Sequence, residues 1–226
     1  MTEGNQRFGH DTVVALADAL KTPLLRLKMN SLNADNSADI AVITDHALRD
    51  IDALITAIET ATRTQASLVP LSCGAIMKDV AERVRPYAKL TTSVIIIDDH
   101  AAHQPILGNP DILKAGYELI AKTMCDLSSD TKEPCIVLRA DTRHGYPRLG
   151  AYRDDIEITA DDVKIAKKLL GGARVNAGIF QQLSALRIVI AEQMLEPLAI
   201  RPRSAKSNGF FGLAFQLAPS NQAGLF

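Results

Sequence analysis

Four groups of residues have types and spacings that could do chemistry. The run from Leu16 to Leu24 places Asp18 and Thr22 four residues apart, one helical turn, so a carboxylate and a hydroxyl would share a helix face just before Pro23. Asp18 is a weak, anionic nucleophile toward phosphate, and Ala19 beside it cannot serve as a base. Asp98, Asp99, His100 and His103 contain metal-ligating types, yet they follow a β-branched run where polar turn residues belong and have no fixed ligand spacing. They read as a solvated turn, and no metal is expected. Cys73, Cys125 and Cys135 are an odd number without a CxxC pair, which reads as reduced thiols. Asp161-Asp162 and Lys167-Lys168 read as a solvated helix face.

Composition narrows the classes that could use these groups. With 226 residues, 47% of them hydrophobic, the chain has material for one large domain or two small ones. Lys and Arg number 25 against 26 Asp and Glu, for a net charge of −1, so no nucleic-acid or membrane surface is expected. The absence of Trp and the few aromatics argue against a base-stacking platform. The apolar runs are too short to span a bilayer and the first residues lack a signal-peptide pattern, which predicts a cytoplasmic protein.

The positioning elements follow from periodicity. Val13, Leu16, Leu20, Leu24 and Leu27 form one helical stripe, Asn30 to Ser37 a turn, and Ile40, Ile43, Ala47, Ile51, Leu54 and Ile58 a second stripe. Two narrow seams of this kind are best buried by a partner hairpin, so residues 1–66 are expected to form half of a four-helix bundle in a homodimer. From residue 67 the pattern alternates. Leu68 to Leu71 reads as a short strand or linker, Cys73 to Tyr87 as a helix, Thr92 to Ile97 as a strand and Asp111 to Asp126 as a helix. Pro134 to Ala140 reads as a strand and Leu183 to Met194 as a helix. A terminal hairpin is expected to pair Leu198–Arg201 with Gly212–Leu217 through Lys206–Gly209. The predicted class is α+β, a helical hairpin followed over 67–226 by an α/β sandwich with helices on one face of a mixed sheet.

Leu20-Lys21-Thr22-Pro23-Leu24 resembles the phosphoacceptor motif His-Glu-Leu-Arg/Lys-Thr-Pro-Leu of sensor histidine kinases, with Asp18 at the histidine position and Ala19 at the acid. The likeness continues along the chain. Val80 to Asp99 is similar to the segment in which a helix ending Arg-Pro-x-Ala leads into a strand. Leu107 to Met124 resembles the asparagine box, Ala185 to Ile190 the helix after the second glycine box, and Gly209 to Pro219 the closing strand.

The resemblance implies a kinase core whose catalytic residues are replaced. Leu119 and Thr123 align with the two asparagines that hold Mg²⁺ and phosphates, and an apolar side chain supplies no oxygen ligand. Asp141-Thr142-Arg143-His144-Gly145 aligns with the first glycine box, leaving Asp141 and Gly145 as vestiges of a cofactor site. Asn176 to Gln182 replaces the second box. Neither ATP nor Mg²⁺ is therefore expected as a cofactor.

By the same resemblance, Asp18, Lys21, Thr22, Leu24 and Arg26 lie on the face that docks a response-regulator receiver domain. An active histidine kinase is the other expected partner. Thr22 occupies the position from which the family orients water for dephosphorylating a receiver, and His10-Asp11 resembles a phosphotransfer histidine. These give the two enzymatic alternatives to a pure binding role. No sensor segment precedes the hairpin, so the input would come from a partner or ligand.

Overall fold

The computed structural model describes residues 67–99, 105–169, 180 and 182–220. The expected helical hairpin over 1–66 lies outside the described residues. The elements in order are β1 (Val69–Ser72), α1 (Cys73–Leu90), β2 (Val94–Asp98), β3 (Pro105–Gly108), α2 (Pro110–Asp126), β4 (Cys135–Arg143) and β5 (Tyr146–Arg153). They continue with α3 (Ala160–Leu169), α4 (Gln182–Leu195), a 3-10 turn (Glu196–Leu198), β6 (Arg203–Ser207), β7 (Phe210–Gln216) and β8 (Ala218–Pro219).

The main sheet has the order β2-β4-β5-β7-β6. Strands β2 and β4 are parallel, joined by a crossover that carries α2, and the remaining pairs are antiparallel. A small antiparallel sheet, β1-β3-β8, ties the first described strand to the last. Alternation decides the faces: Ile136, Leu138 and Ala140 of β4, Leu149 and Ala151 of β5, and Leu213 and Phe215 of β7 join one core with Ile76, Val80, Val84, Tyr117, Ile120, Ile188 and Ala191 of the helices. An α/β sandwich of α+β class is therefore present.

Helix α1 starts where the Ser72 hydroxyl accepts from the Ala75 amide at 3.4 Å, and it runs past the expected Tyr87 to Leu90 with Pro86 inside. The expected strand Leu198–Arg201 is not one. Ala199 takes a left-handed φ of 56° that reverses the chain after the 3-10 turn, and the strand begins only at Arg203, after Pro202. Strands β3 and β5 are further elements that sequence periodicity does not reveal.

The other face of the sheet is closed by its own last hairpin. Although β6 and β4 are separated by two strands, Arg139 of β4 donates to the Ser207 carbonyl at 2.8 Å, and the Ser207 hydroxyl donates to Asp141 at 2.9 Å. The Arg139 guanidinium also lies 5.1 Å from the Phe210 ring centre and 5.9 Å from that of Tyr152. The sheet thus curls until β6 meets β4, and Arg139, Arg148 and Tyr152 are buried on what would otherwise be a wet surface. Burial, with the nearby Asp141 charge, raises the Tyr152 pKa and keeps the phenol neutral.

Candidate functional site

Helix α2 carries Leu119 and Thr123, the positions that the sequence resemblance aligns with nucleotide-holding asparagines. It forms because Asn109 caps it, accepting from the amides of Asp111 at 3.1 Å and Ile112 at 3.0 Å, while Pro110 fits the first turn and Asp111 complements the helix dipole. Leu119 and Thr123 are both sealed in the core. The Thr123 hydroxyl donates to the Leu119 carbonyl one turn back, at 2.9 Å, which satisfies it within the helix. Gly116 lets α4 press against α2, since a Cβ there would lie 2.9 Å from Leu195. This stretch of α2 thus spends its side chains on packing against α4.

A second polar arrangement surrounds the C-terminal end of α2. Arg187 of α4 is 1% exposed and forms an ion pair with Asp126. It also donates to the Tyr87 hydroxyl at 2.9 Å, and Tyr87 donates to Asp126 at 2.5 Å, so α1, α2 and α4 are joined by one closed network. Beside it the fully buried Arg153 donates to the Met124 and Leu127 carbonyls at 2.9 and 2.7 Å, closing the helix end with a cation. Its other nitrogens hold Ser129 and Asp155, and this hold keeps the Asp155 carboxyl well below the usual range. Burial pushes the Cys125 thiol up to about 12 and the Cys73 thiol up to about 11, so neither is a ready nucleophile at neutral pH.

Asp141 and Gly145 sit in a β-hairpin. His144 and Gly145, with φ of 52° and 80°, make the two-residue turn between β4 and β5. The Asp141 carboxylate accepts from Arg148 Nε at 2.7 Å and Nη2 at 2.5 Å, and from Ser207, so both its oxygens are engaged in the fold. This pairing raises the Arg148 pKa. The segment aligned with the first glycine box is therefore a strand-to-strand turn, and Gly145 lies at its tip, with no atom near a Cβ built there.

Asp18, Lys21, Thr22, Leu24 and Arg26 lie outside the described residues, as do His10, His100 and His103. Asp98 accepts from Arg139 at 2.7 Å, and no cluster of metal-ligating side chains occurs among the described residues. In the expected solvated face of α3, Lys164 pairs with Asp161 at 2.9 Å. Lys167 departs from that expectation and reaches Glu192 of α4 at 2.7 Å. No described helix is long and apolar enough to cross a membrane.

Arg187 and Arg153, the two most buried cations among the described residues, are missed by motif reasoning. A lone arginine inside the apolar run Leu183 to Leu195 is the available signal for the first, because a charge there must be paired.

With this geometry in place, the kinship of the fold is plain. The chain is similar to Acinetobacter baumannii histidine kinase AdeS, with 10% identity, 90% of this chain and 98% of that chain covered, and a TM-score of 0.52. It is similar to full-length ShkA in complex with AMPPNP, with 15% identity, 81% and 39% covered, and a TM-score of 0.55. It is also similar to histidine kinase ThkA in complex with response regulator protein TrrA, with 9% identity, 93% and 61% covered, and a TM-score of 0.58. The protein has a histidine-kinase-like core fold. No protein-family model matches the sequence, and no curated protein is significantly similar to it.

Proposed function

We propose that this protein is a catalytically degenerate member of two-component signalling that binds a response-regulator receiver domain or an active histidine kinase without phosphorylating either. The observation that carries the reading is the buried pair Leu119 and Thr123, where the resemblance expects Mg²⁺-holding asparagines and neither position offers an outward oxygen. The sequence adds Asp18 at the phosphoacceptor position. In this reading residues 1–66 pair two copies, residues 67–226 form the kinase-like domain, and Asp18, Lys21, Thr22, Leu24 and Arg26 form the docking face. That one similar structure pairs a kinase with a response regulator supports this choice of partner.

Mg-ATP should leave the melting temperature unchanged. A nucleotide at 100 times its dissociation constant would add about 2.7 kcal/mol, which for a domain of this size is roughly 5–10 °C. A shift of several degrees in a thermal melt would sink the degenerate reading.

The partner is tested by incubating the full chain with phosphorylated and unphosphorylated receivers, or with kinases, while following complex formation and loss of phosphate. Binding that survives Thr22→Ala and His10→Ala, with the receiver's phosphate lifetime unaltered, is the expected result. Accelerated dephosphorylation abolished by Thr22→Ala would establish a phosphatase instead. Acid-labile phosphate lost in His10→Ala would establish a phosphotransferase. Light scattering on the same samples should give a dimer, and a monomer would remove the paired hairpins from the reading.

A further inference from the structure

A cavity of about 810 Å³ opens on the curled side of the sheet, away from the helices. Its polar wall is made by Arg143 at the end of β4, His144 in the turn, Arg148 on β5, Arg203 on β6, and Glu196 and Arg201 in the segment after α4. Three strands and one loop thus converge guanidinium groups on one space in a protein whose net charge is −1. The concentration is local and does not reflect a basic chain.

Three of these guanidiniums, on Arg143, Arg201 and Arg203, have no hydrogen-bond or ion-pair partner among the described residues. Glu196, the single carboxylate of the wall, pairs with none of them. Arg148 differs. It is buried and aimed by Asp141, which takes its Nε and Nη2 and leaves Nη1 unbonded among the described residues. The strand register fixes the rest: Arg203 stands opposite Ala214, and Arg148 opposite Gln216, so the two arginines flank β7 on the same face. Like charges lining one cavity repel one another, and an anion that bridges them would turn that repulsion into several charge-assisted hydrogen bonds.

We infer that this cavity is a binding site for a compact polyphosphorylated small molecule. Phosphate is favoured because the planar guanidinium fork matches its oxygens in pairs. More than one phosphate is needed to meet cations arriving from both sides of β7. The apolar part must be small, since the aliphatic wall is only Ala199, Ala205 and Ala214, and no Phe, Tyr or Trp lines the cavity. The site shares no residue with the proposed docking face, so its failure and the failure of receiver binding are distinguishable results.

The test is calorimetric titration of the full chain with inorganic tripolyphosphate at fixed ionic strength in metal-free buffer, with orthophosphate and a single-stranded oligonucleotide as the other probes. One tripolyphosphate per chain should bind, with orthophosphate at least ~10-fold weaker, following the count of charge-assisted bonds. Arg201→Gln and Arg203→Gln should each weaken tripolyphosphate binding roughly 10-fold. Both variants should keep the wild-type melting temperature without ligand, because neither side chain has a partner to lose. Lys164→Gln, on the exposed face of α3, should leave the affinity unchanged. Absence of tripolyphosphate binding, equal weakening by Lys164→Gln, equal affinity for orthophosphate, or tighter binding of the oligonucleotide through the same arginines would each overturn the proposal.

Discussion

Asp126→Ala should lower the stability of this protein by about 3–5 kcal/mol, the loss found when one member of a buried ion pair is removed. Arg187 is 1% exposed and pairs with Asp126; without that carboxylate a guanidinium would stay in the core having lost this counter-charge, and the Tyr87 hydroxyl would lose its bond to Asp126. For a domain of this size the change is roughly 10 °C in melting temperature, readable by circular dichroism of the full chain. Replacing both charges, Asp126→Leu with Arg187→Met, should recover most of the loss, because the desolvation cost of the charges disappears together with their attraction. A single-variant loss below ~1 kcal/mol would mean that the pair behaves like a surface contact. The assignment of the network as the joint between α1, α2 and α4 would then be wrong.

Gly212→Ala should be comparably severe for a different reason. The position lies in β7 opposite Tyr152, and a Cβ built there runs into the Ala151 carbonyl oxygen and comes within 2.8 Å of the Tyr152 Cα. These are backbone atoms of the neighbouring strand, so no rotamer change relieves the clash. Overpacking that must move backbone costs at least the ~1–3 kcal/mol seen for crowded cores. Gly145→Ala is the control: its site is open, and only the left-handed φ of 80° opposes a side chain, which costs about 1–2 kcal/mol. If the two substitutions prove equally mild in chemical denaturation, β5 and β7 do not approach as described.

The parts of this fold that are legible in the sequence are those where local pattern and global role coincide. Helix α2 shows its cap, its Pro and its apolar stripe, and its observed bounds Pro110–Asp126 differ by one residue from expectation. Strand β2, a β-branched run, is similarly clear. Strand β5 is not, because Pro147, Arg148, Gly150 and Arg153 look like a polar segment until the curled hairpin and the end of α2 supply what buries them. For α3, Thr159 and Asp162 carry the available signal, capping each other reciprocally at 2.8 and 3.2 Å. The letters from Asp141 to Gly145 match a glycine box as text, but the strand partners that make them a hairpin are Pro147 and Arg148. Of the candidate site, the substitution of Leu119 and Thr123 is legible, whereas their burial depends on α4, distant in sequence. The basic cavity is invisible in the sequence, since arginines spread from 143 to 203 meet only when the sheet curls.

The parallel pairing of β2 with β4 also constrains how the chain can be made. Val94 pairs with Cys135, and the connection between them holds β3 and α2. During synthesis from the N-terminus, the run Val94-Ile95-Ile96-Ile97 therefore leaves the ribosome with no strand beside it, and at roughly 5–20 residues per second that interval is on the order of seconds. Short β-branched runs without charge are the segments that associate between chains while unpaired. In the finished fold β2 remains at the sheet edge, with Val94 and Ile96 about half exposed, at 45% and 47%. The nascent protein thus carries this β-branched strand unpaired until β4 has been made.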